Sequence, residues 1–185
     1  GNTNGDSLKV DGVSYTFPLG GKTTVLAGLD SDGSALFTTA CAYGGPSAML
    51  DDCANVNAGI TGGGATVGAA YDFGTGFTAA FGAQTTEAAV FTDESMDAYA
   101  LNAAYTADSY GVSVTYGVVE TSTTEEDTFT AFNAYYLPDS TGLPSLSVGY
   151  EIGDIGGAAA TVDEKTSFFV GASWDEVDQD LLELL

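Results

Sequence analysis

Histidine and arginine are absent from this chain, and lysine stands only at positions 9, 22 and 165. Without histidine, neither a Ser–His nor a Cys–His nucleophile pair can form, and a zinc site loses its commonest nitrogen ligand. Against 3 Lys there are 26 Asp and Glu, giving a formal charge of −23. So acidic a chain has no means of neutralising a row of phosphates, and nucleic acid is excluded as a partner. Cysteine is confined to Cys41 and Cys53. No run comes near the roughly 20 apolar residues of a membrane-spanning helix, and only the last few residues have a helical period. The stretch Gly20-Gly21-Lys22-Thr23-Thr24 lacks the first glycine and the spacing of a phosphate-binding loop. Two carboxylates could serve a glycosidase, but among 26 acids no pair is distinguished. The chain therefore reads as neither an enzyme nor a cofactor protein.

What is present is alternation. In Asp97–Val118, Tyr99, Leu101, Ala103 and Tyr105 alternate with small or polar residues; after a turn at Ala107-Asp108-Ser109, so do Val112, Val114, Tyr116 and Val118. Alternation places each apolar set on one face of a strand, and the turn formers close the two runs as a hairpin. The same reading along the chain gives candidate strands at Leu8–Pro18, Thr23–Leu29, Ala65–Phe73, Phe77–Ala83, Ala98–Thr106, Gly111–Val119, Phe129–Leu137, Ser145–Ile152 and Lys165–Trp174. The pattern is poor in Phe129–Leu137, where Phe132 and Tyr135 fall on opposite faces.

The links between these strands alternate in length. Leu19–Lys22, Gly74–Gly76, Ala107–Tyr110 and Pro138–Pro144 are short, whereas Asp30–Gly64, Gln84–Asp97, Glu120–Thr128 and Gly153–Glu164 are long. In an up-and-down meander this trims one end and elaborates the other, the habit of outer-membrane barrels. The fold class expected is all-β, an antiparallel up-and-down transmembrane β-barrel, of which residues 1–177 form a segment of about nine strands. The tail Asp178–Leu185 reads as a short helix or a fragment end, and Gly1, not being an initiator Met, reads as a processed or excerpted start. The alternative is a secreted or cell-surface acidic β-sandwich binding module. Opposite the apolar residues lie Thr66, Asp72, Asn102, Ser113, Thr115, Ser147 and Glu151, the candidate pore lining. Unpartnered hydroxyls and carboxylates are costly in a dry core, whereas a water-filled lumen accepts them.

Cys41 and Cys53 share the longest link, and the expectation is a disulfide stapling an external loop, with two free thiols as the alternative. Asp30-Ser31-Asp32-Gly33 begins like a calcium loop but lacks the later Glu, and an acidic turn is the simpler reading. Asp93 and Glu94, and Glu125, Glu126 and Asp127, read as acidic loop clusters; the functional version is a mouth that attracts cations. Trp174 and Tyr150 could form a sugar platform, although aromatics at an interface account for them as well.

Several segments resemble the outer-membrane porins of marine picocyanobacteria, a branch of the carbohydrate-selective porin family. They are Val10–Gly20 (VDGVSYTFPLG), Asp32–Ser47 (DGSALFTTACAYGGPS), Tyr105–Tyr116 (YTADSYGVSVTY), Ser145–Glu151 (SLSVGYE) and Phe169–Glu176 (FVGASWDE). The resemblance implies a homotrimeric diffusion channel for small hydrophilic solutes or ions in the outer membrane of a Gram-negative-type, cyanobacterial cell, with outer-membrane lipid as its surroundings. It also implies a surface-layer-homology region and a longer barrel, neither of which lies within these 185 residues.

Overall fold

The computed structural model describes residues 12–42, 53–61, 64–85, 96–122, 124–140, 142–156 and 162–174. Nine strands follow one another: β1 (Val13–Leu19), β2 (Thr23–Leu29), β3 (Ala65–Asp72), β4 (Phe77–Thr85), β5 (Asp97–Thr106), β6 (Tyr110–Ser122), β7 (Glu125–Tyr136), β8 (Ser145–Ile155) and β9 (Glu164–Ser173). They form one antiparallel sheet in sequence order, with β1 and β9 at its edges, and it is not closed into a barrel. No helix occurs among the described residues. Each expected strand is present. The start of the expected first strand, the Asp93/Glu94 cluster and the tail lie outside the described residues.

The register sorts side chains as the alternation requires. Leu101 pairs with Tyr116, Ala103 with Val114 and Tyr105 with Val112; on the opposite face Asn102 pairs with Thr115 and Ala104 with Ser113. We call the first face outer and the second inner. Val67, Phe81, Leu101, Val112, Val114, Tyr116, Phe132, Val148, Tyr150 and Ile152 are all exposed on the outer face. Exposure peaks at the edge strand, with Phe168 at 82 % and Val170 at 73 %, where one side has no neighbouring strand. At the short-turn end aromatics meet in a chain: Phe77 lies 4.6 Å from Tyr105, and Tyr105 lies 5.8 Å from Tyr110, between ring centroids. The poor alternation of β7 has a simple resolution. Phe132 pairs with Val114 on the outer face, whereas Phe129, opposite Gly117, is turned inward and buried against Ala58 and Ala131.

One expected link is corrected. Glu120–Thr128 is not a long loop, because β6 runs on to Ser122 and β7 begins at Glu125. Glu125, Glu126 and Asp127 therefore open a strand instead of forming a loop tip. The β-branched residues Val118, Val119, Thr121 and Thr128 favour extension, and a register shift between Glu120 and Ser122 accommodates the tight connection. The register sets Glu120 directly opposite Glu126, a like-charge pairing that strands normally avoid.

Candidate functional site

Between β2 and β3 the chain does not hang free of the sheet. Its described parts, a forward arm (31–42) and a return arm (53–61), lie against the inner face. Gly33 N–H donates to Ile60 O (3.1 Å), joining the arms to each other. The disulfide Cys41–Cys53 joins them again, with a Cα–Cα distance of 6.1 Å. The expected pairing is therefore present, in a loop folded onto the wall.

The forward arm is held by neutral groups. Thr38 N–H donates to Asn102 Oδ1 (2.9 Å), and Asn102 Nδ2 returns a bond to Thr38 O (3.1 Å). Ala40 N–H donates to Ser113 Oγ (2.9 Å) and Ala42 N–H to Ser147 Oγ (2.8 Å). Each wall side chain takes the place that a neighbouring strand would have filled, satisfying loop amides that would otherwise be buried without partners. At the strap's root, Thr66 Oγ1 donates to Ser31 O (3.0 Å).

Charged groups hold the middle of the return arm. Asn57 N–H and Ala58 N–H both donate to Glu151 Oε2 at 2.8 Å, and Asn57 Nδ2 donates to Glu151 Oε1. On the far side of the same amide, Lys165 Nζ donates to Asn57 Oδ1 (3.0 Å). Nearer the disulfide, Asn133 Nδ2 donates to Cys53 O (2.6 Å), and Asn55 Nδ2 donates to Thr115 Oγ1 (3.3 Å).

Glycine makes the close approach possible. A Cβ at Gly82 would overlap the Gly33 carbonyl, one at Gly117 would stand 2.7 Å from the Ala58 oxygen, and one at Gly149 would overlap the Cys53 carbonyl. These inner positions form a shallow bed for the strap.

The residues expected to line a pore are thus inward, as the alternation requires, but covered. Thr66, Asn102, Ser113, Thr115, Ser147 and Glu151 are buried, each with its polar atoms against other protein groups instead of an open lumen. Only Asp72 stands exposed, at the end of β3, accepting a bond from Gly74 N–H (2.7 Å). What sequence reasoning missed is the strap itself. The signal available was the combination of inward glycines at 68, 82, 117 and 149 with inward amides at Asn102 and Asn133.

The acidic run divides between the two faces. Asp127 pairs with Val119 on the inner face and lines a cavity of about 340 Å³ beside the return arm, with Asn57, Phe129, Ile155 and Lys165. Glu126, opposite Glu120, belongs to the outer face. Among the described residues no group of three or more His, Cys, Asp or Glu is arranged to hold a metal ion. Asp32 Oδ1 accepts instead from Ser34 N–H (2.8 Å) and Ser34 Oγ (2.7 Å), the bonding of an acidic turn. Tyr150 is on the outer face and Trp174 is exposed just beyond β9.

No protein-family model matches the chain, and no curated protein matches it. The functional reading therefore rests on the two faces and the strap.

Proposed function

We propose that this chain is the wall of an outer-membrane porin, a channel for passive diffusion of small hydrophilic solutes or ions, with the strap narrowing its lumen. The observation that supports it is the asymmetry of the sheet. The outer face exposes Leu101, Val112, Val114, Tyr116, Val148 and Tyr150 side by side, whereas the inner face buries hydroxyls, amides and a carboxylate beneath polypeptide. A continuous apolar surface of this kind is unfavourable in water and matches the lipid-facing side of a barrel, with ring-bearing residues at the turn end suited to an interface.

The strand directions fit the same reading. In an up-and-down order β1 and β9 run the same way, so an all-antiparallel ring through both edges takes an odd number of further strands. A complete bacterial barrel has an even count, and nine plus an odd number is even. The segment resemblance to picocyanobacterial porins supports a trimeric assembly in a cyanobacterial outer membrane. The rival, an acidic β-sandwich module, requires a second sheet over the outer face, and among the described residues no layer covers it.

Migration in SDS separates the two readings. The proposed barrel wall shifts mobility on boiling, fractionates with membranes, and gives conductance steps in a planar bilayer. A protein that stays soluble without detergent, with one mobility before and after boiling, refutes the channel.

A further inference from the structure

The two arms of the strap are anchored by different chemistry, and their seating differs as well. Neutral hydroxyls and an amide hold the forward arm, and their bonds do not depend on any charge. The return arm begins with Cys53 at φ 46° and Ala54 at φ 66°, both in the left-handed region that non-glycine residues avoid. Of the buried polar atoms without a hydrogen-bond partner, two are amide oxygens at this arm, Asn55 Oδ1 and Asn133 Oδ1, and one, Ser31 Oγ, is on the forward arm. The cavity of about 340 Å³ lies alongside it, lined by Asn57, Gly59, Ile60 and Thr61. Against these costs stands the Glu151 carboxylate, 1 % exposed, accepting from Asn57 and Ala58.

We infer that the return arm is the movable half of the strap and that Glu151 is the positioning residue that latches it, with Lys165 setting the orientation of the latch. Lys165 has only donors, so it draws Asn57 Oδ1 toward itself and turns Asn57 Nδ2 toward residue 151. Residue 151 must then present acceptors alone. A carboxylate does so with both oxygens. An amide presents one oxygen and one NH2, and the NH2 meets Asn57 Nδ2 donor to donor. Asn57 cannot turn over to relieve this while Lys165 holds its oxygen. The charged groups that line the cavity beside the latch are Lys165 from β9, Asp127 from β7, Asp97 from β5 and Glu120 from β6. This assignment deepens the channel reading, since release of residues 54–59, between the tethers at Cys53 and Ile60, would widen the passage, but the latch itself is tested independently of conductance.

The test is amide hydrogen exchange on the full chain, refolded in detergent, for the wild type, E151Q, K165M and the double variant. In E151Q the exchange at Asn57 and Ala58 rises by roughly ten- to a hundredfold, because their N–H groups exchange a carboxylate acceptor for a neutral one and the facing NH2 groups push the arm away. Thr38, Ala40 and Ala42 stay protected. In E151Q/K165M, Asn57 is free to turn its oxygen to the amide introduced at position 151, and protection at residue 58 recovers at least part of the way. That rescue is a non-additivity that a merely space-filling Glu151 would not produce. Equal loss in both arms, or a double variant that only sums the single losses, overturns the latch. Should E151Q fail to fold, N57A removes one donor and is read the same way: an intermediate rise at Ala58 supports the latch and no rise refutes it. In a planar bilayer, E151Q raises single-channel conductance with added flicker. A wild type that never conducts removes the channel reading but leaves the exchange result standing.

Discussion

The Asn102 side chain and the Thr38 backbone bond each other twice, Thr38 N–H to Oδ1 at 2.9 Å and Nδ2 to Thr38 O at 3.1 Å. An amide side chain is the one group that can offer a peptide unit both an acceptor and a donor at that spacing, so a single residue of β5 stands in for a strand. Its Nδ2 also donates to Thr115 Oγ1 (2.9 Å), fixing which way the amide points. N102A leaves the Thr38 groups unpaired in a partly buried place and is expected to cost about 1–3 kcal/mol. N102D keeps the acceptor but sets a carboxylate oxygen against the Thr38 carbonyl, and is expected to cost more. The measurement is the temperature at which the unboiled, compact gel band is lost. A melting point for N102D equal to or above that of N102A would contradict the paired-amide account.

A second expectation concerns the bed of the strap. Gly149 passes so close beneath the Cys53 carbonyl that any side chain must push it away. G149A should cost about 1–3 kcal/mol by overpacking and lift the disulfide off the wall. Its reduction by dithiothreitol, followed by alkylation of Cys41 and Cys53, should then proceed about tenfold faster, which corresponds to about 1.4 kcal/mol of lost seating. G21A is the control, since a Cβ there meets nothing within 4 Å. Equal reduction rates for G149A and G21A would mean that the carbonyl moves aside without cost.

How much of this is visible in the sequence depends on which interaction made it. Strand positions follow from alternation within each segment, as in Ser145–Ile155, where Leu146, Val148, Tyr150 and Ile152 all stand on the exposed face. The inner polar face is equally visible. Its partner is not, because Ser113 or Ser147 bonds to water or to a loop amide with the same chemistry, and nothing local distinguishes them. Folding of the strap is a matter of long-range pairing, with Ala42 reaching Ser147 across 105 positions. The misplacement of Glu125–Asp127 has a different origin. There the run of three adjacent acids pointed to a loop, and the extended propensity of the surrounding valines and threonines outweighed it.

The outer face makes a third prediction. Spin labels placed singly at Val112, Val114, Val148 and Val170, with the Cys41–Cys53 bond left oxidised, should relax faster with oxygen, which concentrates in lipid, than with a water-soluble nickel complex. Labels at the exposed Asp72 and Asp139 should show the reverse. The four outer positions are open to their surroundings, so accessibility reports the medium and not a protein contact. Outer labels that respond chiefly to the nickel complex would place this face in water and favour the sandwich.

The last prediction separates the acids of the β6–β7 hairpin by the face they occupy. With 26 acids and 3 Lys, a channel of the kind proposed above should favour cations, since fixed negative charge in a narrow aqueous passage raises the local cation concentration. The three acids at the start of β7 are not equivalent sources of that field. Asp127 is on the inner side, lining the cavity that holds Asn57 and Lys165, and its Oδ1 accepts from Gly156 N–H (3.0 Å). Glu126 is exposed and does not line that cavity, whereas Glu120 opposite it does. D127N should therefore move the reversal potential under a KCl gradient toward zero, and E126Q should leave it nearly where it was. The difference should shrink at high salt, because the Debye length falls from about 10 Å at 0.1 M to about 3 Å at 1 M. Loss of inner charge also leaves Lys165 with fewer acids around it, so D127N/K165M should regain part of the cation preference that D127N loses. An anion-selective wild type, or equal shifts for E126Q and D127N, would show that the hairpin acids do not act through the inner face.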